Sequence, residues 1–384
     1  MRKLRMGMIG GGIDSFIGDV HRKAAGIDGM IELVCGAFSS SEEKSKRSGK
    51  ALFLPENRCY GTFEEMILKE KELPEGERMD FIAIVTPNHM HFAPAKLGLE
   101  NGFHVVCDKP MTLTIEEGIE LESLVKKTGL LFALTHNYPG SPMVKQARAM
   151  IANNELGKIR KVQVQYLQGW LATSIEKTGQ KQASWRVDPT KSGVGGALGD
   201  IGTHAENLVE YITGIQIQEI AADLGRFGEG RVLDDDGNIL LRLENGAKGT
   251  MSFSQIATGE ENNLAIKVYG ERGSLAWCQE NPNQLITKWL DKPIITYTPN
   301  GNNLYKEALE ASRIPAGHPE GYLEAFATIY KNFAIHLNAK LTNQDIEVPD
   351  YPKVSDGIRG VKFIHAAVES DKNNAAWVKL NSTI

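Results

Sequence analysis

The sequence predicts an α/β protein in two parts: a doubly wound parallel sheet over residues 1–137, then an α+β domain with a large, mostly antiparallel sheet over 138–384. Three observations lead there. Short apolar runs alternate with helical stretches through the first third of the chain. The run 80–86 (DFIAIVT) is continuously apolar and rich in β-branched residues, as a parallel strand buried on both faces must be. Beyond Asn137 strand-like runs follow one another with little helix between them.

Each element of the first part has its own signal. Residues 4–9 (LRMGMI) read as a strand, Gly10-Gly11-Gly12 as a turn, and 16–25 as a helix. A strand at 31–38 precedes a polar helix rich in Glu and Lys. The runs 80–86, 103–107 and 130–135 are read as the fourth, fifth and sixth strands, with helices at 91–101 and 114–128 between them. In the second part a helix is expected at 142–153 and another at 203–213. Strands are expected at 159–167, 217–224, 239–244, 249–256 and 264–270. Residues 171–199 are polar and Gly-rich and read as a long loop. Helices near 322–338 and 356–370 close the chain, and they are free to pack back on the first domain.

Bulk properties narrow the function. At 384 residues the chain suits two domains of roughly 100–200 residues each. With 43 basic and 48 acidic side chains the net charge is −5, which gives no argument for a nucleic-acid or membrane partner, and none is expected. No apolar run approaches the ~20 residues of a membrane span, and the basic N-terminus lacks the apolar core of a signal peptide. Cys35, Cys59, Cys107 and Cys278 are scattered, with no metal-ligand spacing, so no metal is expected. Scattered thiols in apolar runs suit a reducing cytoplasm.

The chemistry-bearing motifs sit where strands end. Gly10-Gly11-Gly12 lies between the first strand and first helix, where glycines let backbone approach a pyrophosphate and the helix supplies amides. The third glycine of a GxGxxG pattern falls on Ser15. An ordinary tight turn would also use such glycines. Phe38-Ser39-Ser40-Ser41 ends the second strand without the acid that binds a ribose 2′-hydroxyl. Lys44, Lys46 and Arg47 follow; they suit a 2′-phosphate or a solvated helix face, so NAD and NADP both stay open. Thr86-Pro87-Asn88-His89-Met90-His91 and Cys107-Asp108-Lys109-Pro110 end two further strands on the ligand rim of such a sheet. Asn88 and His91 are placed to touch cofactor, although His91 also suits helix packing. The Lys109 ammonium is suited to hydrogen-bond a substrate oxygen or exchange a proton, unless the side chain is merely exposed. Asp200 and His204 are four apart, so on a helix they share a face. Histidine is readily poised for proton transfer, while Asp200 equally suits an N-cap and His204 a packed ring.

Together these pieces resemble the glucose-fructose oxidoreductase / inositol dehydrogenase / MocA family. The resemblance rests on Gly10-Gly11-Gly12, on Thr86-Pro87-Asn88 with His91, on Asp108-Lys109-Pro110 and on Asp200-Ile201-Gly202-Thr203-His204, and it spans essentially the whole chain. It implies a Rossmann domain and an NAD(P)-dependent dehydrogenase acting on a ring carbinol of a sugar, glycoside or inositol. It implies Lys109, Asp200 and His204 as the catalytic set. His204 would be the base, Lys109 would polarise the reacting oxygen, and Asp200 would bind substrate or orient His204. Around the cofactor it implies Gly10, Gly12, Ile13, Ser39 and Lys44 on one side, and Thr86, Asn88, His91, Asp108, Lys109 and Asn137 on the other. Relatives commonly form dimers or tetramers through the second sheet.

A subgroup of the family looks more similar still, through FIGxVHR (16–22), THNYxGxPM (135–143), QGWL (168–171), QKQASWRxDP (180–189) and GHPEGY (317–322). These runs offer Gln168, Trp185, Arg186, His318 and Tyr322 as substrate contacts, although Trp185 and Tyr322 also suit a core. Ser15 and Asp108 depart from the family's small turn residue and its commoner Glu. Two rival outcomes are a redox-neutral glycoside-processing enzyme with tightly held NAD, and a nicotinamide-binding regulator. The regulator would need no proton-transfer set.

Overall fold

The structure is a computed structural model that describes residues 2–380. The chain forms two compact units. One comprises the chain up to Asn137 with Phe326–Ile358; the other comprises Tyr138–Ala325 with the segment from Arg359 onward.

The first unit is built on β1 (Leu4–Gly10), α1 (Phe16–Ile27), β2 (Ile31–Ala37), α2 (Glu42–Ala51), α3 (Phe63–Glu72), β3 (Phe81–Val85), α4 (Phe92–Glu100), β4 (His104–Cys107), α5 (Ile115–Thr128) and β5 (Phe132–Leu134). Its five strands are all parallel, in the order β2-β1-β3-β4-β5. This is the doubly wound sheet that the alternation predicts. Every residue of β3, β4 and β5 is buried, which is why these runs are apolar without a break. Four of the helices start at a Ser or Thr whose hydroxyl accepts a first-turn amide: Ser15, Ser41, Thr62 and Thr114. Such caps contribute about 1 kcal/mol each.

The first sheet has five strands rather than six. The runs at 80–86, 103–107 and 130–135 are the third, fourth and fifth strands, because no strand lies between β2 and β3. A single parallel bridge, Gly36 to Cys59, stands in its place. Pro55 and the 3₁₀ turn Glu56–Arg58 interrupt this stretch, and proline has no N–H to give a ladder.

The second unit contains α6 (Pro142–Ala152), β6 (Lys161–Leu167), α7 (Lys181–Arg186), α8 (Pro189–Ser192), α9 (Thr203–Thr213), β7 (Ile217–Gly225), β8 (Asp236–Leu243), β9 (Lys248–Ser254), β10 (Asn263–Tyr269), β11 (Gly273–Cys278), β12 (Leu285–Trp289), β13 (Ile295–Tyr297) and α10 (Lys306–Ala311). Two long helices, α11 (Tyr322–Leu341) and α12 (Val354–Lys372), each run from one unit into the other, and β14 (Val378–Lys379) ends the fold. The nine strands follow the order β13-β12-β11-β10-β6-β9-β8-β7-β14. Pairing is antiparallel except between β6 and β9. Val162, Val164 and Tyr166 alternate into a core shared with Met143, Val144 and Ala147 of α6 and Leu208 and Val209 of α9.

The mostly antiparallel sheet is as the sequence predicts, but β11, β12 and β13 were not expected. They are short and mix polar with apolar residues, so they carry little period-2 signal. The stretch 171–199 is also not one loop. It holds a 3₁₀ turn (Ile175–Thr178), then α7 capped by the Gln180 side chain and α8 capped by Asp188 with Pro189 behind it. Helices this short cannot show a 3.6-residue apolar rhythm.

Candidate active site

The turn after β1 is shaped by glycine. Gly10 and Gly11 have φ of +77° and +68°, the left-handed region that favours glycine. A Cβ on Gly12 would lie 2.9 Å from Ser48 Oγ and 3.1 Å from the Phe38 carbonyl. The close helix approach that a third glycine allows is served by Gly18, not by position 15. A Cβ on Gly18 would fall 2.4 Å from the Gly11 Cα. Ser15 instead caps α1, accepting the Gly18 amide at 3.2 Å. Arg22 donates to the Gly11 carbonyl and so braces the turn from behind; the FIGxVHR run was the only trace of it in the sequence. Ile13 is exposed at the rim, and its amide reaches Ser48 Oγ at 3.4 Å.

The far side of this rim is a hydrogen-bonded turn after β4. Asp108 Oδ1 accepts from the Lys109 amide at 2.8 Å and from Thr135 Oγ1 at 2.8 Å. His91 is buried, with Nδ1 2.8 Å from the Pro110 carbonyl and Nε2 2.9 Å from the Thr86 carbonyl. The sequence offered His91 to the cofactor. Its two ring nitrogens are engaged with backbone, so it holds the 86–91 and 108–110 segments together. Thr86 Oγ1 donates to the Met90 carbonyl at 2.9 Å, and Asn88 is buried in the same turn. Lys109 is half-buried. Asn137, just beyond β5, is 1% exposed and its Nδ2 has no partner. An orphaned amide costs about 1–3 kcal/mol, and a ligand carbonyl would satisfy it. This donor and the glycine cradle fit a dinucleotide.

Beneath the Asp108 turn lies His21. It is fully buried, with Nδ1 2.7 Å from Tyr330 Oη and Nε2 3.9 Å from Asp108 Oδ2. Burial lowers the His21 pKa to about 4, His104 to about 4 and His136 to about 3. Above about pH 6.5 neither folded nor unfolded chain protonates these rings. Below it the unfolded chain takes up protons first, so stability falls with falling pH down to about 4. His21 alone should contribute a loss of about 3 kcal/mol across that window. Urea midpoints at pH 7.5, 5.5 and 4.5 should therefore decline in step. A midpoint that stays level would contradict the buried, neutral state of these histidines.

In the second unit, Asp200 lies in a π-turn (Leu198–Gly202) that runs directly into α9, where His204 stands. Asp200 is thus neither N-cap nor part of a plain α-helix. π-turns are rare and often mark functional sites. The segment is anchored by Asp234, whose carboxylate accepts the amides of Gly196 at 2.7 Å and Leu198 at 2.6 Å. Burial pushes Asp234 up to about 6, against the pull of those amides. Asp200 Oδ2 accepts from Arg186 Nε and from Gln255 Nε2, each at 2.8 Å. His204 is nearly buried and packs edge-on to Tyr138, ring centres 5.1 Å apart. From Tyr138 a chain of hydrogen bonds runs through Tyr166 at 2.6 Å to Asn262, then Gln168 and Trp170. Burial raises Tyr138 to about 12, so it stays a phenol.

The sequence-derived substrate contacts are thus divided. Gln168, Trp185 and Arg186 belong to the network around Asp200 or adjoin it. His318 is exposed, with Nδ1 3.0 Å from the Pro315 carbonyl of its own loop, and Tyr322 packs on the core. Gln255, Asn262 and Asp234 went unnoticed in the sequence, because single polar residues at strand ends carry no pattern.

Residues 4–136 match the family model for oxidoreductases with an NAD-binding Rossmann fold, and 144–276 match that for the GFO/IDH/MocA C-terminal domain. The chain belongs to the GFO/IDH/MocA oxidoreductase family. It is 34% identical to the uncharacterised oxidoreductase YfiI of Bacillus subtilis, over 98% of this chain and 97% of that one. It is 28% identical to levoglucosan dehydrogenase of Pseudarthrobacter phenanthrenivorans, over 74% of this chain and 76% of the relative. The structure of an inositol dehydrogenase homologue of Azotobacter vinelandii, in complex with NADH and myo-inositol, superposes with a TM-score of 0.91 at 33% identity, covering 98% of each chain.

In this GFO/IDH/MocA oxidoreductase the first unit is the NAD-binding fold. Of the three cations that the sequence offered to a 2′-phosphate, Lys46 pairs with Glu42 at 2.7 Å and Arg47 lies 4.0 Å from Asp14. Lys44 is exposed. Ser39 Oγ accepts the Ser41 amide at 3.2 Å. A carboxylate at position 39 would repel a 2′-phosphate, so Ser39→Asp should shift the NAD⁺/NADP⁺ affinity ratio toward NAD⁺ by about 10-fold, some 1.4 kcal/mol. Titration with both dinucleotides reads this directly, and an unchanged ratio would place ribose recognition elsewhere. Among the described residues no helix is long and apolar enough to cross a membrane.

Proposed function

We propose that this protein is a dehydrogenase of cyclic polyols, oxidising a ring carbinol of an inositol or a pyranose with Lys109, Asp200 and His204 as its catalytic set. The observation that carries the reading is the Asp200–His204 pair: a carboxylate fixed by two donors, four residues before an imidazole packed against Tyr138. The myo-inositol and levoglucosan named for two relatives support the substrate class.

Bound NAD⁺ supplies the hydride acceptor. His204 takes the hydroxyl proton as general base, which is worth about 10²–10⁴ in rate. Lys109 hydrogen-bonds the same oxygen and stabilises its developing negative charge. Asp200 accepts a hydrogen bond from a substrate hydroxyl. Asn137 offers its unpaired amide, and the glycine turn its backbone, to the dinucleotide. Assembly as a dimer or tetramer in the cytoplasm belongs to the same proposal; sedimentation velocity tests the assembly.

The deciding experiment is absorbance and native mass spectrometry on fresh protein, then NAD⁺ reduction with inositols and pyranoses. Cofactor-dependent NADH formation supports the reading. A nicotinamide that survives dialysis, with glycoside turnover needing no added cofactor, would replace it with redox-neutral chemistry.

A further inference from the structure

We infer that Arg186 is a positioning residue for Asp200 rather than a contact for substrate. The inference rests on the polyol-dehydrogenase reading above and concerns how that site is assembled. Every fixed feature of the guanidinium points back into the protein. Its Nε donates to Asp200 Oδ2 at 2.8 Å. Its Nη1 donates to both the backbone carbonyl and the Oε1 of Gln182, at 3.1 and 2.8 Å. Its Cζ lies 4.3 Å from the ring centre of Trp185 and 5.8 Å from that of Trp170.

Local structure explains why this works. Gln182, Trp185 and Arg186 share α7, a helix of six residues started by the Gln180 side chain. Gln182 and Arg186 are four apart and so face one another. The Trp185 indole also reaches Gln182 Oε1, at 3.3 Å. The helix therefore presents a pre-assembled cation, seated on an aromatic ring and tied to its own first turn. A planar guanidinium can stack and donate at once, which an ammonium cannot.

The receiving carboxylate needs such a partner. Asp200 stands in a π-turn, a rare winding that often marks functional sites. Arg186 from one side and the buried Gln255 from the other meet on the same oxygen, Oδ2. Two donors on one oxygen set the rotation of the carboxyl group. Arg186 thereby decides where the Asp200 charge sits relative to the segment that carries His204.

The test is a double-mutant cycle on the full-length enzyme with NAD⁺ and myo-inositol, or whichever pyranose is turned over best. Arg186→Ala should lower kcat about 10–100-fold with the NAD⁺ dissociation constant unchanged. Methylguanidinium added to that variant should restore several-fold of the loss. Arg186→Lys keeps the cation without the fork and should fall between. In an Asp200→Asn background, Arg186→Ala should cost almost nothing further, because its effect runs through the carboxylate. Should Arg186→Ala fold poorly, Arg186→Lys with and without Asp200→Asn closes the same cycle. A loss that persists in full beside Asp200→Asn would overturn the inference and return Arg186 to direct substrate binding. If Asp200→Asn alone leaves kcat intact, the catalytic reading itself fails, and the inference with it.

Discussion

His204→Ala should lower turnover on a cyclic polyol by about 10²–10⁴ while NAD⁺ binds as before. The expectation follows from what the ring does in the fold. His204 is almost buried and leans on Tyr138, so its imidazole is held in one orientation, on the helix that the Asp200 π-turn feeds. Alanine removes the base, while Tyr138 remains bonded to Tyr166. Lys109→Ala should produce a drop of similar size, because a developing alkoxide loses its cation. Steady-state kinetics with parallel NAD⁺ titrations separates chemistry from binding. Both variants turning over at the parent rate would remove these residues from the mechanism.

Gly18→Val should abolish dinucleotide binding and lower the melting temperature. Even one methyl group here meets the Gly11 Cα, carbonyl carbon and oxygen within 2.6 Å, and these are backbone atoms that cannot swing aside. Overpacking of this kind costs about 1–3 kcal/mol or more. The strain falls on the turn itself, so α1 must tilt away or Gly11 must leave its left-handed conformation. Either movement spoils the amide cradle. Calorimetric titration with NAD⁺ alongside a thermal melt measures both effects. A variant that binds NAD⁺ with parent affinity would show that the turn tolerates displacement. Ser15→Ala is the instructive control, because it removes only a helix cap worth about 1 kcal/mol.

How much of this was legible beforehand differs by residue. The parallel sheet was plain from the buried runs of β3 and β4, whose composition allows little else. Lys109 stands out because a lysine at the end of an apolar strand is poorly explained by packing, whereas Asp200 and His204 also suit an N-cap and a packed ring, and only their place in one motif singles them out. Gly18 was missed, since a pattern of fixed spacing pointed at Ser15, whereas the real requirement is a distance between a helix and a turn. The π-turn was invisible because one extra residue in a winding leaves no compositional mark. Arg186 looked like a ligand contact from its loop-like setting; its tie to Asp200 depends on α7, a helix too short to announce itself. The two donors on Asp200 come from distant stretches, and only folding brings Gln255 and Arg186 to one oxygen.

The one parallel seam in the second sheet bears on how the chain is made. The strand β6 sits between β9 and β10, pairing Lys161 with Lys248 on one side and with Tyr269 on the other. The strands β7 to β9 form one meander and β10 to β13 another, each able to assemble from neighbours in sequence. The strand β6 joins the two, and neither of its partners exists until long after it has left the ribosome. During synthesis it presents two unsatisfied edges and a row of Val162, Val164 and Tyr166 that only the preceding α6 is there to cover. Closing so wide a loop is slow. The nascent chain therefore spends its most vulnerable interval waiting for a partner strand, and this segment is where a chaperone would be needed and where a truncated product would aggregate.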